Sequence, residues 1–230
     1  MRRETIFNRK KLLIETESDA DDSVFHEIFT ERDYQHIESE IKNAKNVIID
    51  IGAHIGLFAL YLNALNPNVK IVSFEPEERN YNLLKRNIKE NRATNITVKN
   101  LAVSSEEGQK ILYISADSHN HSLKKESINI ISEKKTISIS AENLFGKFEK
   151  IDLVKMDCEG AEFEILASMS RESFARINCF AIEYHEYVYG DNSNDLRNIL
   201  ERNGFKVQKN QSKYDKRMGF IKAIRYTANQ

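Results

Sequence analysis

Two glycines and two carboxylates carry the first chemical information in this chain. In Val47-Ile-Ile-Asp-Ile-Gly-Ala-His-Ile-Gly56 an apolar run ends in Asp50, and a turn holding Gly52 and Gly56 follows. The amphipathic Leu57-Phe-Ala-Leu-Tyr-Leu62 begins at once. That order predicts strand, tight turn and helix, the unit that holds a nucleotide-like ligand at the carboxyl end of a parallel strand. A second apolar run, Ile71-Val-Ser-Phe-Glu-Pro76, ends in Glu75. A carboxylate about 20 residues past the glycines can accept hydrogen bonds from both hydroxyls of a ribose. The pattern asks for an adenosine-like ligand.

Glycine spacing discriminates among such ligands. A pyrophosphate-binding turn needs G-x-G-x-x-G so that backbone amides approach the phosphates closely. Here His54 stands where the middle glycine would be, Leu57 where the last would be, and Asp50 adds negative charge near the phosphate position. S-adenosyl-L-methionine has no phosphate, offers a ribose diol to Glu75, and carries an α-ammonium group that suits Asp50. The residues favour it over NAD.

Farther on, Asp157-Cys-Glu-Gly-Ala-Glu162 places three carboxylates in six residues where a strand hands over to a helix. Like charges repel and burial disfavours ionisation, so this group needs partners. Asp157 and Glu159 lie on the turn and can face a substrate, whereas Glu162, in the first helical turn, is equally a helix cap. His185 follows Phe180-Ala-Ile-Glu-Tyr184. With an ordinary pKa of about 6.5 it could serve as general base for a hydroxyl, or be a structural histidine. The Asp157/Glu159 pair, completed by Glu183 and His185, could instead hold a divalent cation. Spacing alone fixes no partner ligand, and no metal is assigned. His119 and His121 read as a polar loop able to cover the site, and Cys158 as a small buried residue.

Three segments carry a family resemblance: Asp50-Ile-Gly-Ala-His-Ile-Gly56, Phe74-Glu-Pro-Glu77 and Val154-Lys-Met-Asp-Cys-Glu-Gly-Ala-Glu162. Together they resemble the FkbM family of S-adenosyl-L-methionine-dependent methyltransferases. The third, similar to the family's I-K-x-D-x-E-G-x-E segment, is the most family-specific. The likeness runs from about Asp22 to about Glu186. Family members commonly carry Asn at His54, and both residues tolerate positive φ. The resemblance implies a Rossmann-like class I fold with the cofactor turn at Asp50, Gly52, His54 and Gly56. It puts an adenine pocket at the end of the third strand, where Asn100 could bond the adenine edge and Ala102 make room for the ring. It also implies a hydroxyl acceptor on a sugar or secondary-metabolite-like small molecule, with Asp157, Glu159 and His185 as catalytic candidates.

These residues need elements to position them. Residues 1–45 form an N-terminal extension. Strand-like Thr5–Phe7 and Leu12–Thr16 precede a helix over Val24–Phe29, capped by the Asp21–Ser23 cluster, and a second helix over Tyr34–Asn43. Residues 46–230 form the catalytic-size domain. Strands are predicted near 46–51, 70–75, 96–103, 151–157 and 179–185, and helices near 56–65, 77–91, 161–169 and 194–203. Phe205–Gln208 and Phe220–Tyr226 close the chain as a hairpin. Alternating strands and helices predict an α/β fold: a mostly parallel sheet, helices on both faces and a final antiparallel strand. Segments 104–140 and 186–192 break the pattern and are expected to shape the acceptor pocket. Ile111–Ile114 and Thr136–Ile139 are strand-like within the first.

Of 230 residues, 40% are hydrophobic and 30% charged, as in proteins with a buried core. Lys and Arg number 34 against 35 Asp and Glu, so no global field draws the chain to nucleic acid or an anionic membrane. Met1-Arg-Arg-Glu-Thr-Ile lacks the apolar core of a signal peptide, and no apolar run approaches membrane-spanning length. Two cysteines make no disulfide framework. A cytoplasmic enzyme with reduced thiols is expected. A nucleic-acid methyltransferase and a non-catalytic cofactor-binding module stay open as alternatives.

Overall fold

Alternate residues of the central strands disappear into two different cores, and this organises the molecule. The computed structural model describes residues 1–125, 129–186, 192–212 and 215–226; most of the 186–192 segment lies outside them. Seven strands form the main sheet: β3 (Val47–Ile51), β4 (Lys70–Phe74), β5 (Ile96–Lys99), β9 (Leu153–Met156), β10 (Cys179–His185), β11 (Phe205–Gln211) and β12 (Met218–Arg225). Their order is β11-β12-β10-β9-β3-β4-β5. β12 runs antiparallel to both of its neighbours, and the other pairings are parallel. Ile49, Val72, Val154 and Phe180 face one core; Ile48, Ile71, Leu153 and Ala181 face the other. A side-chain period of two, buried on both faces, is why these strands read as continuous apolar runs.

Helices α5 (Ala141–Phe145), α6 (Glu162–Ser168), α7 (Arg171–Ala175) and α8 (Ser193–Arg202) contribute to the first core. Helices α2 (Glu38–Asn43), α3 (Leu57–Leu65) and α4 (Glu78–Glu90) contribute to the second. α5 and α7, five residues each, are too short for a helical period to show in the sequence.

The N-terminal residues complete the second core. β1 (Arg2–Phe7) and β2 (Lys10–Glu15) form a hairpin whose two loop residues, Asn8 and Arg9, both take positive φ, the geometry that matches strand twist across a two-residue turn. Asn87 on α4 and Asn91, the cap residue that follows its last turn, bond the backbone N–H and C=O of Glu15 and Leu13. Residues two apart on a strand edge thus meet residues four apart on a helix face. Leu12 and Ile14 are fully buried.

Three expectations are corrected. The predicted strand over 96–103 is two strands in different sheets, because the Asn100 side chain donates to the carbonyls of Glu75 and Pro76 (2.9 and 3.0 Å) as the ladder ends. Beyond it, β6 (Ala102–Ser104), β7 (Gly108–Ser115) and β8 (Ile130–Ser140) form a separate sheet in the order β6-β8-β7. Helix α1 (Asp19–His26) starts before the Asp21–Ser23 cluster; Ser18 caps it, with Asp21 closing a capping box. It runs into a π-helical turn, Glu27–Glu31, that Arg32 ends at positive φ. The second N-terminal helix is a 3-10 turn, Asp33–Ile37, leading into α2.

Candidate active site

The strand tips open onto a cleft of about 570 Å³. Its floor is the β3–α3 turn, where the N–H groups of Gly52 and Ala53 both donate to the Phe74 carbonyl at 3.1 and 2.9 Å. Gly52 sits at φ +77°, and a Cβ there would lie 1.7 Å from the Asp157 carbonyl oxygen. Only glycine lets the tips of β3 and β9 come this close.

Glu75 lines the cleft and is 5% exposed. Its carboxylate is fixed from both sides, Oε2 accepting from the His54 N–H (2.8 Å) and Oε1 from the Glu77 N–H (2.9 Å). Burial pushes its pKa up to about 8 in spite of those two donors. His54, at φ +49°, directs its ring nitrogen to a different carboxylate. Its Nε2 lies 3.2 Å from both Ser118 Oγ and Asp21 Oδ1, and Ser118 Oγ donates to Asp21 at 2.6 Å. This knot ties the N-terminal extension and the β7–β8 connection to the glycine turn. Burial lowers the His54 pKa, with Asp21 pulling the other way.

Three expected ligand contacts take other work. Asp50 is fully buried beneath the turn and does not line the cleft. Its register partners are Ser73 on β4 and Lys155 on β9. Ser73 Oγ donates to it at 3.1 Å, and Lys155 Nζ lies 3.7 Å away. An ammonium of the protein itself thus occupies the place expected for a ligand's. Gly56, at φ +88°, opens α3 and packs against Leu84 rather than the cleft. Asn100 spends its amide on the two carbonyls already described, leaving the cleft wall to Leu101 and Ala102.

Lys155 is 3% exposed. Its Nζ donates to the Gly52 carbonyl (2.8 Å) and to Asp157 Oδ2 (3.2 Å). Burial opposes its charge, yet Asp157, Asp50 and Glu183 push its pKa above the ordinary lysine range. A lysine in the apolar run Val154-Lys-Met gives little sequence signal, and its function depends on the register with Asp50.

In the same cleft the structure brings Asp157, Glu159 and His185 together, one ligand atom from each lying within 4.8 Å of the others. Glu159, at φ +55° and 6% exposed, has burial raising its pKa to about 8. His185 is 1% exposed, with Nε2 3.6 Å from Glu159 Oε1 and Nδ1 3.4 Å from Glu162 Oε1. Burial opposes the imidazolium, but Glu159 and Glu162 raise the pKa well above the ordinary value. Glu162 braces the turn by accepting from the N–H groups of Cys158 (2.8 Å) and Gly160 (2.9 Å). Burial first, then Asp157, raises Glu183. Glu27 and Tyr34 of the N-terminal extension also line this cleft, and neither carries a motif that sequence could have flagged. His121 lines it too, its pKa lowered to about 4 by burial.

Sheet order, glycine turn and cleft at the strand tips define a Rossmann-like class I methyltransferase fold, as comparison with solved structures shows. Superposition gives a TM-score of 0.55 and 17% identity with methyltransferase FkbM from Methylobacillus flagellatus, covering 86% of this chain and 47% of that one. A precorrin-6y C5,15-methyltransferase from Geobacter metallireducens gives 0.52 and 15%, covering 86% and 90%. Residues 50–207 match the methyltransferase FkbM domain family, and the chain belongs to it: it is a methyltransferase. Methyltransferase sdnD of Sordaria araneosa is 27% identical over 225 residues, covering 83% of this chain and 84% of that protein. The 31-O-demethyl-FK506 methyltransferase FkbM of Streptomyces tacrolimicus is 34% identical over 85 residues, covering 37% and 32%.

Proposed function

We propose that this enzyme transfers the methyl group of S-adenosyl-L-methionine to a hydroxyl of a sugar or secondary-metabolite-like small molecule in the cytoplasm. The observation that carries the reading is Glu75: a buried carboxylate, oriented by two backbone N–H groups, facing the cleft beside the Gly52 turn. It suits a ribose diol. Gly52 and His54 border the amino-acid end of the cofactor, and Leu101 and Ala102 the adenine. The name of the Streptomyces relative, a 31-O-demethyl-FK506 methyltransferase, supports an oxygen acceptor, and the cleft volume suits a small molecule.

In the reaction the acceptor oxygen forms the new O–CH₃ bond while the C–S bond breaks, its electron pair leaving with sulfur as a neutral thioether. The hydroxyl proton leaves for solvent along the wall of the cleft that Asp157, Glu159 and His185 line. Charge is neutralised in the step, so orientation and water exclusion supply much of the rate.

Calorimetric titration with S-adenosyl-L-methionine and S-adenosylhomocysteine tests this reading. An ionised Glu75 offers two acceptor oxygens to the diol, a protonated one only one free acceptor. With its pKa near 8 in the free protein, binding must release a proton below pH 8. Affinity should therefore rise from pH 6.5 to 8, by up to about tenfold per unit, and level off above. Glu75→Gln should weaken binding roughly 10- to 100-fold and flatten the profile, with thermal unfolding as the check on folding. Undiminished binding by Glu75→Gln, or none by the wild type, would overturn the assignment.

A further inference from the structure

The Glu159 backbone carbonyl accepts from Ser122 Oγ at 2.6 Å, but its side chain has no evident work in holding the fold. Glu162 already braces the turn that opens α6, and the Glu159 carboxylate accepts no hydrogen bond from the described residues, its nearest partner being His185 at 3.6 Å. Yet it is held at φ +55°, a left-handed conformation that strains a non-glycine residue and concentrates at functional sites. The surroundings add negative charge. Asp157, Glu159 and Glu183 line the same cleft, and Lys155 is the only lysine or arginine among its described lining residues. Lys155 is engaged with Gly52, Asp50 and Asp157. Buried like charges of this kind require a cation or protons.

We propose that Asp157, Glu159 and His185 bind a divalent cation of the Mg²⁺/Mn²⁺ class, with Glu162 orienting His185 from behind. Two observations carry this independently. Ligands on opposite sides of such an ion lie roughly 4–5 Å apart, and the three donor atoms here fall within 4.8 Å of one another. Behind them, His185 presents Nε2 to Glu159 and Nδ1 to Glu162, and Glu162 is itself fixed by two backbone N–H groups. A histidine ligand with its other ring nitrogen on an ordered carboxylate is the usual outer support of a metal site. Two carboxylates and one imidazole suit Mn²⁺ and Mg²⁺ better than thiol-seeking ions. Three protein ligands leave coordination positions open. An acceptor oxygen taking one of them would have its pKa lowered by the ion and be held for methyl attack; that last role rests on the proposed methyl transfer to a hydroxyl, whereas cation binding does not.

The test uses the full chain stripped of metal with a chelator, then titrated with Mn²⁺ alone and followed by the loss of the free-ion electron paramagnetic signal. One ion should bind per chain, and millimolar Mg²⁺ should compete. Glu159→Gln and His185→Gln should each weaken binding at least tenfold, and Glu162→Gln by about 10- to 100-fold through loss of orientation. Each variant should still bind S-adenosylhomocysteine, which shows that it has folded. No Mn²⁺ binding by the wild type below 1 mM, or undiminished binding by Glu159→Gln, overturns the cation site. With the ion bound, chelation should lower methyl transfer at least 100-fold and Mn²⁺ restore it. Mn²⁺ binding with chelator-insensitive turnover overturns the acceptor role. Mn²⁺ binding without any cofactor binding would sink the methyl-transfer reading and leave the cation site standing.

Discussion

Gly52→Ala is expected to destabilise the enzyme by about 2–6 kcal/mol and to remove ligand binding in the cleft. Two effects add. Alanine at φ +77° carries left-handed strain of about 1–3 kcal/mol. Its methyl group would also stand 1.7 Å from the Asp157 carbonyl oxygen, so β3 and β9 must part at their tips, with an overpacking cost of about 1–3 kcal/mol. Separation of the tips disturbs more than the turn. It pulls the Gly52 carbonyl from Lys155 and moves Asp157, which follows directly on β9. Urea unfolding with cofactor titration checks both parts. A midpoint shift worth less than about 1 kcal/mol would mean that the tips are not held together as described. The neighbouring Gly56 makes a useful contrast, since a Cβ there meets the side chain of Leu84 at 3.2 Å rather than backbone.

Lys155→Met should be comparably damaging for an electrostatic reason. The ammonium is buried, with Asp50 at 3.7 Å on one side and Asp157 at 3.2 Å on the other. Methionine fills similar volume but leaves Asp50 fully buried with only Ser73 as donor. Removing one partner of a buried pair costs about 3–5 kcal/mol because the remaining charge is uncompensated. The double variant Lys155→Met/Asp50→Asn removes that charge and should recover a substantial share of the loss. Equal instability of the single and double variants would assign the effect to packing or to the lost Gly52 contact. A single variant with wild-type stability would dismiss the buried pair as a structural element.

Asp50 shows which parts of this molecule sequence could disclose. The apolar runs around β3, β4 and β10 are legible because each strand is buried on both faces, and the positions of Gly52 and Glu75 follow from strand ends and turn chemistry. What sequence does not carry is register. Asp50 was expected to meet a ligand's ammonium group, and pairing with β9 supplies Lys155 instead. Asn100 was expected at the adenine and instead bonds the carbonyls of Glu75 and Pro76. Its side-chain bonds, not its position along an apolar run, split the predicted strand between two sheets. Glu27 and Tyr34 reach the cleft because the Asp21–Ser118–His54 knot draws segments far apart in the chain to the same turn. Asp157, Glu159 and His185 were visible as residue types that could do chemistry. Their convergence required the tips of β9 and β10 to be neighbours.

The central position of β3 has a consequence for how the chain matures. β4 follows β3 closely, but its other neighbour, β9, begins at Leu153, about a hundred residues later. At ribosomal rates of about 5–20 residues per second, that interval lasts on the order of 5–20 s. Throughout it β3 presents an unpaired edge, and the Asp50 carboxylate lacks its ammonium counterpart. The three-stranded sheet of β6, β7 and β8 emerges within the same interval and lengthens it. β3 is thus the first strand of this sheet to be made, yet its seam with β9 closes only after β4 and β5 have emerged, and its open edge must be kept from foreign strands until Lys155 arrives.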